Sequence, residues 1–128
     1  LKAAATAAPS AMLVHVSSLA AREPRLSPYC DSKHRAELVV RALAGERIWT
    51  ILRPPAVYGP GDQEIRPMFQ AARLGVVPYP AAPDAALSMI HVADLAEAVA
   101  ACLTRSGPPQ ATFEVDDGSP AGTAGRTF

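Results

Sequence analysis

Met12-Leu13-Val14-His15-Val16-Ser17-Ser18 is an apolar run of strand length that ends in two serines. Continuous runs of this kind are typical of strands that are buried on both faces, as in parallel sheets. Ile48-Trp49-Thr50-Ile51-Leu52 has the same character, and Pro54 and Pro55 prevent it from continuing in a central ladder. The two runs therefore predict two strands of a buried, parallel type.

A helix is predicted between these strands. Ser27 is suited to be its N-cap, Pro28 occupies the first helical position, and Asp31 follows in the first turn. The helix is expected to run from about Pro28 to Ala44, with Gly45 as its stop. Beyond it the sequence predicts turns throughout residues 54–62, helices over 64–74 and 93–104, and strands over 87–92 and 112–115. This alternation of strands and helices predicts an α/β fold.

Composition excludes several classes of function. The 128 residues carry 12 basic and 12 acidic side chains, a balance that disfavours nucleic acid or an anionic membrane surface as the main partner. No apolar run has the length of a membrane span, and residues 2–8 lack the apolar centre of a signal peptide. Cys30 and Cys102 form no paired motif, so no metal site or disulfide is expected and the cytoplasm is the default compartment.

Ser18, Tyr29 and Lys33 are the candidate catalytic residues. Tyr29 and Lys33 are spaced i, i+4 at the start of the predicted helix, so both project from one face. A free phenol ionises at about pH 10, which is too high for acid–base work at neutral pH, and a nearby ammonium group favours the phenolate. Ser18 follows a strand at the sheet edge where open α/β folds bind ligands, so its hydroxyl could hold a carbonyl oxygen against Tyr29.

The sequence resembles the extended short-chain dehydrogenase/reductase superfamily, also called the NAD-dependent epimerase/dehydratase family. Four pieces carry the resemblance: Val14-His15-Val16-Ser17-Ser18, Tyr29-Cys30-Asp31-Ser32-Lys33, Leu52-Arg53-Pro54-Pro55-Ala56-Val57-Tyr58-Gly59-Pro60-Gly61-Asp62, and Ile90-His91-Val92-Ala93-Asp94-Leu95-Ala96. In chain order they cover most of residues 12–104.

The resemblance implies a Rossmann-like parallel sheet, of which this chain would be the C-terminal half, and hydride exchange between NAD or NADP and a carbonyl or alcohol carbon. Ser18 would orient the substrate oxygen, Tyr29 would pass the proton, and Lys33 would bind the nicotinamide ribose. The cofactor-binding set would be Tyr29 and Lys33 with Pro54, Pro55, Ala56 and Val57 along the nicotinamide. The resemblance also suggests a homodimer through the helix Pro28–Ala44, and a small-molecule substrate.

The expected organisation has four parts. Residues 1–60 would be the second half of the dinucleotide-binding domain, and 61–87 a substrate-binding segment. Residues 88–105 would return to the main fold, and 106–128 would form a C-terminal strand and loop.

The sequence departs from the family pattern in three places. The Gly-rich, phosphate-binding turn that joins a strand to a helix in the family is not found in this sequence. Gly118, Gly122 and Gly125 are closely spaced, but no helix is predicted after them, so they do not form such a turn. The chain is therefore expected to be a fragment that is inactive alone and binds the dinucleotide weakly or not at all. Leu87-Ser88 stands where sugar-nucleotide members usually carry Arg-Asp, which favours a smaller or less anionic substrate unless Arg66 or Arg73 replaces that cation. The loop between Ser18 and Tyr29 is also shorter than in many extended members.

Two other interpretations stay open at this point. The protein could be a non-catalytic relative that binds dinucleotide as a sensor or assembly factor, or the chain could be a truncated product without activity. Retention of Ser18, Tyr29 and Lys33 favours an enzyme. His15 and Trp49 are expected in the core (for Trp49 a subunit contact is the alternative), and His91 at a strand-to-helix junction.

Overall fold

The fold is described by a computed structural model that covers residues 11–45, 47–75, 88–104 and 110–118. The strands are β1 (Leu13–Val16), β2 (Trp49–Arg53), β3 (Ala56–Tyr58), β4 (Met89–His91) and β5 (Ala111–Glu114). The helices are α1 (Pro28–Ala44), α2 (Arg66–Arg73) and α3 (Val92–Thr104), and a short 3-10 helix spans Leu19–Arg22. The predicted α/β class is confirmed.

Helix α1 begins and ends where its local signals place it. The Ser27 hydroxyl accepts a hydrogen bond from the Cys30 backbone N–H at 3.2 Å, and Pro28 is the first helical residue. The helix ends before Gly45, whose positive φ of 56° is a conformation that glycine adopts without steric cost. Both predicted bounds of this helix are confirmed.

The main sheet has three parallel strands in the order β1-β2-β5. Central strand β2 is buried over its first four residues, as its apolar composition predicts. Trp49 and Ile51 pack with Val40 and Ala44 of α1 to form the core, and Leu13 of β1 borders it. Trp49 is 8% exposed, which confirms its predicted place in the core.

Residues 54–62 are not turn throughout, and here the prediction is wrong. Ala56, Val57 and Tyr58 form β3, which pairs in parallel with Met89, Ile90 and His91 of β4 in a separate two-stranded sheet. Pro54 and Pro55 do end the ladder of β2, as expected, but they redirect the chain toward a second partner. Val57 and Tyr58 have high β propensity, and they form a strand here because β4, which is distant in sequence, pairs with them.

The remaining predicted elements are present with shifted ends. Helix α2 is shorter than the predicted 64–74, β4 is shorter than 87–92, and β5 begins one residue earlier than 112–115. The helical prediction for residues 2–8, the Pro-rich stretch 78–83, and most of the predicted C-terminal loop lie outside the described residues.

Gly59 lies where the chain after β3 comes against the start of α3. A Cβ atom on Gly59 would lie 2.5 Å from Val92 Cγ1 and 3.3 Å from Val92 Cβ. Valine is stiff at χ1 in a helix, so its side chain cannot rotate away freely. We expect Gly59→Ala to lower the free energy of unfolding of the full-length protein by about 1–3 kcal/mol, measured by chemical denaturation.

The double variant Gly59→Ala/Val92→Ala is the matched control, because it removes the Val92 methyl group that the new Cβ would meet. Measured against Val92→Ala alone, it should lose less stability than Gly59→Ala loses from the wild type; the strain of an alanine at a φ of 155° remains in both backgrounds. Equal losses in the two backgrounds would contradict this steric explanation.

Two surface properties complete the fold. Among the described residues no helix combines the length and apolar composition needed to cross a bilayer. Leu38 and Val39 on α1 are 53% and 48% exposed, an apolar surface compatible with the predicted homodimer, which stays a prediction.

Candidate active site

Ser17 and Ser18 lie at the carboxyl end of β1, beside the end of β2. The Ser17 N–H donates to the Leu52 carbonyl at 2.7 Å, and the Leu19 N–H donates to the Pro54 carbonyl at 2.9 Å. The two serines have different environments. Ser17 is buried, whereas half-buried Ser18 caps the 3-10 helix by accepting a hydrogen bond from the Ala20 N–H at 3.2 Å.

Tyr29 and Lys33 lie on one face of α1 in its first two turns, as the i, i+4 spacing predicts. Lys33 Nζ is 5.5 Å from the centroid of the Tyr29 ring, which is within the range of a cation–π contact. Tyr29 is 56% exposed and Lys33 is half-buried, so both side chains are open to a ligand. In the described part of the chain neither the Tyr29 hydroxyl nor the Lys33 ammonium has a hydrogen-bond partner.

The structure therefore brings Tyr29 and Lys33 together. It places Ser18 at the carboxyl edge of the main sheet, where β1 and β2 both end. Within the described residues no hydrogen bond joins Ser18 to Tyr29; the Ser18 oxygen accepts from the Ala20 N–H, and its own O–H remains available to donate. The assignment of these three residues as one catalytic set stays a prediction.

The predicted cofactor-binding segment Pro54–Val57 is divided between two kinds of structure. Pro54 is buried and its carbonyl accepts from Leu19, and Pro55 is the bend between strands. Ala56 and Val57 are in β3 and pair with Met89 and Ile90. Their role beside a nicotinamide stays a prediction, and part of their backbone is already engaged in a ladder.

A buried charged cluster lies between α1 and the ends of β1 and β2, and it was not predicted from the sequence. Glu37 is 2% exposed and accepts hydrogen bonds from Arg53 Nε at 2.9 Å, Arg53 Nη2 at 2.8 Å and Ser17 Oγ at 2.7 Å. Arg41 lies at 3.4 Å from the same carboxylate, and Arg53 lies at 3.5 Å from Glu114 of β5. The cluster joins α1 to all three strands of the main sheet.

Burial raises the pKa of Glu37, but the hydrogen bonds from Arg53 and Ser17 and the positive charges of Arg53 and Arg41 outweigh it and hold the pKa below its usual value. The sequence did contain a signal for this site. Glu37 precedes Val40 and Ala44 at the i+3 and i+7 spacing of one helix face, so a carboxylate occupies an inward position. A charge there needs a partner, and Arg53 ends the buried strand β2.

His15 is half-buried in β1, so it lies at the border of the core rather than within it as predicted. Its Nε2 is buried without a hydrogen-bond partner among the described residues. Burial lowers the pKa of His15, the nearby carboxylate of Glu37 opposes that change, and the charge of Lys33 adds to it. His15 therefore favours its neutral form.

His91 is at the junction of β4 and α3, as predicted, and its Nδ1 accepts a hydrogen bond from the Ala93 N–H at 3.2 Å. His34 Nδ1 lies 3.1 Å from the Ala21 carbonyl. The described residues include no cluster of three or more His, Cys, Asp or Glu side chains that could hold a metal ion.

A cleft of about 630 Å³ lies between the turn after β3 and helix α2. Its walls include Tyr58, Gln63, Arg66, Phe69, Gln70 and Arg73. The rings of Tyr58 and Phe69 are 5.6 Å apart, so one part of the wall is aromatic. Arg66 and Arg73 form no ion pair in the described part of the chain, and both face the cleft at the position predicted for substrate.

Comparison with known proteins agrees with this geometry. Residues 8–115 match the model of the NAD dependent epimerase/dehydratase family. Ceramide reductase of Caulobacter vibrioides is 48% identical over 104 residues, which cover 80% of this chain and 32% of that protein. This chain thus spans about a third of the length of the curated relative.

Solved structures share the fold. MoeE5 in complex with UDP-glucuronic acid and NAD has a TM-score of 0.73 and 26% identity, covering 93% of this chain and 46% of that one. UDP-N-acetylglucosamine 4-epimerase from Methanobrevibacter ruminantium M1, in complex with UDP-N-acetylmuramic acid, has a TM-score of 0.69 and 18% identity, covering 91% and 44%. The parallel α/β sheet is accordingly the Rossmann-like sheet of these neighbours. With its family match over most of its length, the chain belongs to the NAD-dependent epimerase/dehydratase family.

Proposed function

We propose that the protein is an NAD(P)-dependent reductase that acts on a carbonyl carbon through Ser18, Tyr29 and Lys33. The observation that carries this proposal is the pair of Tyr29 and Lys33 on one face of α1, with the ammonium 5.5 Å from the ring centroid and both polar groups open. Family membership supports the same chemistry.

The residues fit a nicotinamide nucleotide. The Lys33 ammonium and the Tyr29 hydroxyl have unused hydrogen-bonding capacity in the described residues, and they lie on the helix that follows β1, near the carboxyl edge of the sheet. The nicotinamide would supply the hydride. Lys33 would hold the ribose hydroxyls, and Pro54 and Pro55 would border the ring. NAD is bound in the neighbour MoeE5, and both NAD and NADP remain within the proposal.

Each of the three side chains has a separate task in this proposal. Ser18 donates its hydroxyl hydrogen to the substrate oxygen and fixes it near Tyr29. Tyr29 gives its phenolic proton to that oxygen as the carbonyl becomes an alcohol, and the ammonium of Lys33 stabilises the phenolate that remains. Positioning these groups before reaction removes an entropic cost from the reacting complex.

The proposed substrate is the ketone form of a long-chain amide lipid of the ceramide kind. The support is the 48% identity to ceramide reductase, together with Leu87-Ser88 in place of the Arg-Asp of sugar-nucleotide members. A nucleotide-sugar epimerase is the second candidate, and one observation favours it. Arg66 and Arg73, which form no ion pair among the described residues, present two cations to the cleft beside the aromatic rings of Tyr58 and Phe69.

The experiment compares both substrates with the full-length protein. We expect NADH or NADPH to be consumed when a keto-ceramide is supplied in detergent micelles, with one alcohol formed for each reduced cofactor used. UDP-glucose and UDP-N-acetylglucosamine should be returned unchanged. Epimerised UDP-sugar without lipid reduction would replace the reductase with the second candidate, and cofactor binding without turnover of either substrate would favour a non-catalytic relative.

A further inference from the structure

Glu37 is a buried carboxylate that the proposed chemistry does not use. It follows Lys33 by four residues on α1, so Tyr29, Lys33 and Glu37 are stacked along one side of the helix. It accepts two hydrogen bonds from the fork of Arg53 and one from the hydroxyl of Ser17. A two-pronged contact between guanidinium and carboxylate fixes direction as well as distance.

Two of the three partners of Glu37 adjoin the proposed site; the third, Arg41, lies one turn further along α1. Ser17 immediately precedes Ser18 at the end of β1, and Arg53 immediately precedes Pro54 at the end of β2. Glu37 itself is one turn beyond Lys33. A single side chain therefore links the three segments that carry the candidate catalytic and cofactor-binding residues.

We propose that Glu37 is a positioning residue, which sets the placement of Tyr29 and Lys33 relative to Ser18 through its contacts with Ser17 and Arg53. This inference rests on the proposed function. In the proposed function, Glu37 contacts neither the cofactor nor the substrate. Its effect is on geometry: the fork ties α1 to the end of β2, and the Ser17 contact holds that hydroxyl inward while Ser18 remains half-buried and free of Glu37.

Stability alone is a poor explanation for such a cluster. Desolvation of a buried ion pair often cancels its attraction, and well-packed apolar side chains of similar volume are frequently as stable. The positions of the catalytic side chains are a better explanation, because a displacement of about 1 Å between reacting groups can lower the rate by roughly 100-fold. The cluster supplies directional hydrogen bonds between α1 and the ends of β1 and β2, whereas apolar packing has no such directionality.

The test is Glu37→Gln in the full-length protein, assayed with the substrate that the wild type turns over. Gln keeps the shape and can still accept from Ser17, but it loses the charged contact with the Arg53 fork. We expect kcat to fall by about 10- to 100-fold, while KM for the cofactor changes by less than about threefold. Asp31→Asn is the matched control, because it makes the same change in the exposed pair with Arg35 on the same helix, and kcat should stay within about threefold.

A second measurement separates positioning from a general loss of structure. In a Tyr29→Phe background, Glu37→Gln should lower the residual rate by less than about threefold, because it acts through Tyr29. Full additivity of the two substitutions would overturn the proposal. If Glu37→Gln does not fold, Ser17→Ala decides: kcat lowered by at least about threefold with cofactor KM unchanged supports positioning, and an unchanged kcat refutes it.

The two proposals fail in different ways. A wild-type protein with no turnover, or a Tyr29→Phe variant as active as the wild type, overturns the proposed function and the role of Glu37 with it. An active wild type that depends on Tyr29, combined with full activity of folded Glu37→Gln, overturns only the role of Glu37.

Discussion

We expect Tyr29→Phe to lower kcat of the full-length protein by about 100- to 10,000-fold, which is the contribution expected of a positioned proton donor. Phenylalanine keeps the ring that lies 5.5 Å from Lys33 Nζ, so the ammonium retains its neighbour. Only the hydroxyl is lost, and with it the proton for the substrate oxygen. Dissociation constants for NAD(P), measured by calorimetric titration, should change by less than about threefold.

Ser32→Ala is the control for this substitution. It also removes one hydroxyl from the first turns of α1, where Ser32 Oγ donates to the Tyr29 carbonyl at 2.7 Å on the exposed side of the helix. Its kcat should remain within about threefold of the wild type. A Tyr29→Phe variant with more than about a tenth of wild-type kcat would show that the proton comes from elsewhere.

Arg53→Met is the second large effect, and it concerns stability. The Arg53 side chain is 18% exposed and supplies two of the hydrogen bonds of the Glu37 carboxylate. Its removal leaves that carboxylate buried with the Ser17 hydroxyl and the more distant Arg41. We expect the free energy of unfolding at neutral pH to fall by about 3–5 kcal/mol, measured by chemical denaturation of the full-length protein.

Arg35→Met is the matched control, because Arg35 pairs with Asp31 at 2.8 Å on the exposed side of the same helix. Surface pairs contribute about 0–1 kcal/mol, so this variant should lose no more than that. If Arg53→Met lowered the free energy of unfolding as little as Arg35→Met does, the Glu37 carboxylate would have to be stabilised by other partners, and the prediction would be wrong.

The loss in Arg53→Met should also depend on pH. The pKa of Glu37 is lowered in the folded wild type, so its contribution is fully present above the ordinary glutamate pKa and is lost as pH falls through the folded value. Without Arg53, burial is opposed by fewer contacts and that pKa rises. The stability difference between the two proteins should therefore narrow as pH falls below the ordinary glutamate pKa.

Local signals explain why much of the fold could be predicted. Ser27, Pro28 and Gly45 act on the helix ends they adjoin, so α1 was predicted with both its bounds. Strands β1 and β2 were predicted from continuous apolar runs, which suit burial on both faces. Burial is confirmed for β2 and wrong for β1, which is half-buried and has Val16 41% exposed. Tyr29 and Lys33 were placed together by helix geometry alone, since residues four apart share a face.

Features that depend on distant partners were missed. Strand β3 has three residues, too few for a periodic pattern, and it exists because β4 pairs with it from beyond residue 88. The cleft beside α2 arises from the packing of that helix against the turn after β3, which no local pattern encodes. The ion pair of Glu37 and Arg53, with 2.8 Å between Oε2 and Nη2, joins residues 16 positions apart, and no local pattern shows that they meet.

The amino-acid order alone thus determined the α/β class, the ends of α1, and the shared face of Tyr29 and Lys33, because each depends on neighbours within a few positions. The tertiary structure decided the order β1-β2-β5, the pairing of β3 with β4, and the burial of Glu37 between Ser17 and Arg53. Those features require segments far apart in the chain to meet. Which segments meet is set by packing and desolvation over the whole fold, and a local pattern does not contain that information.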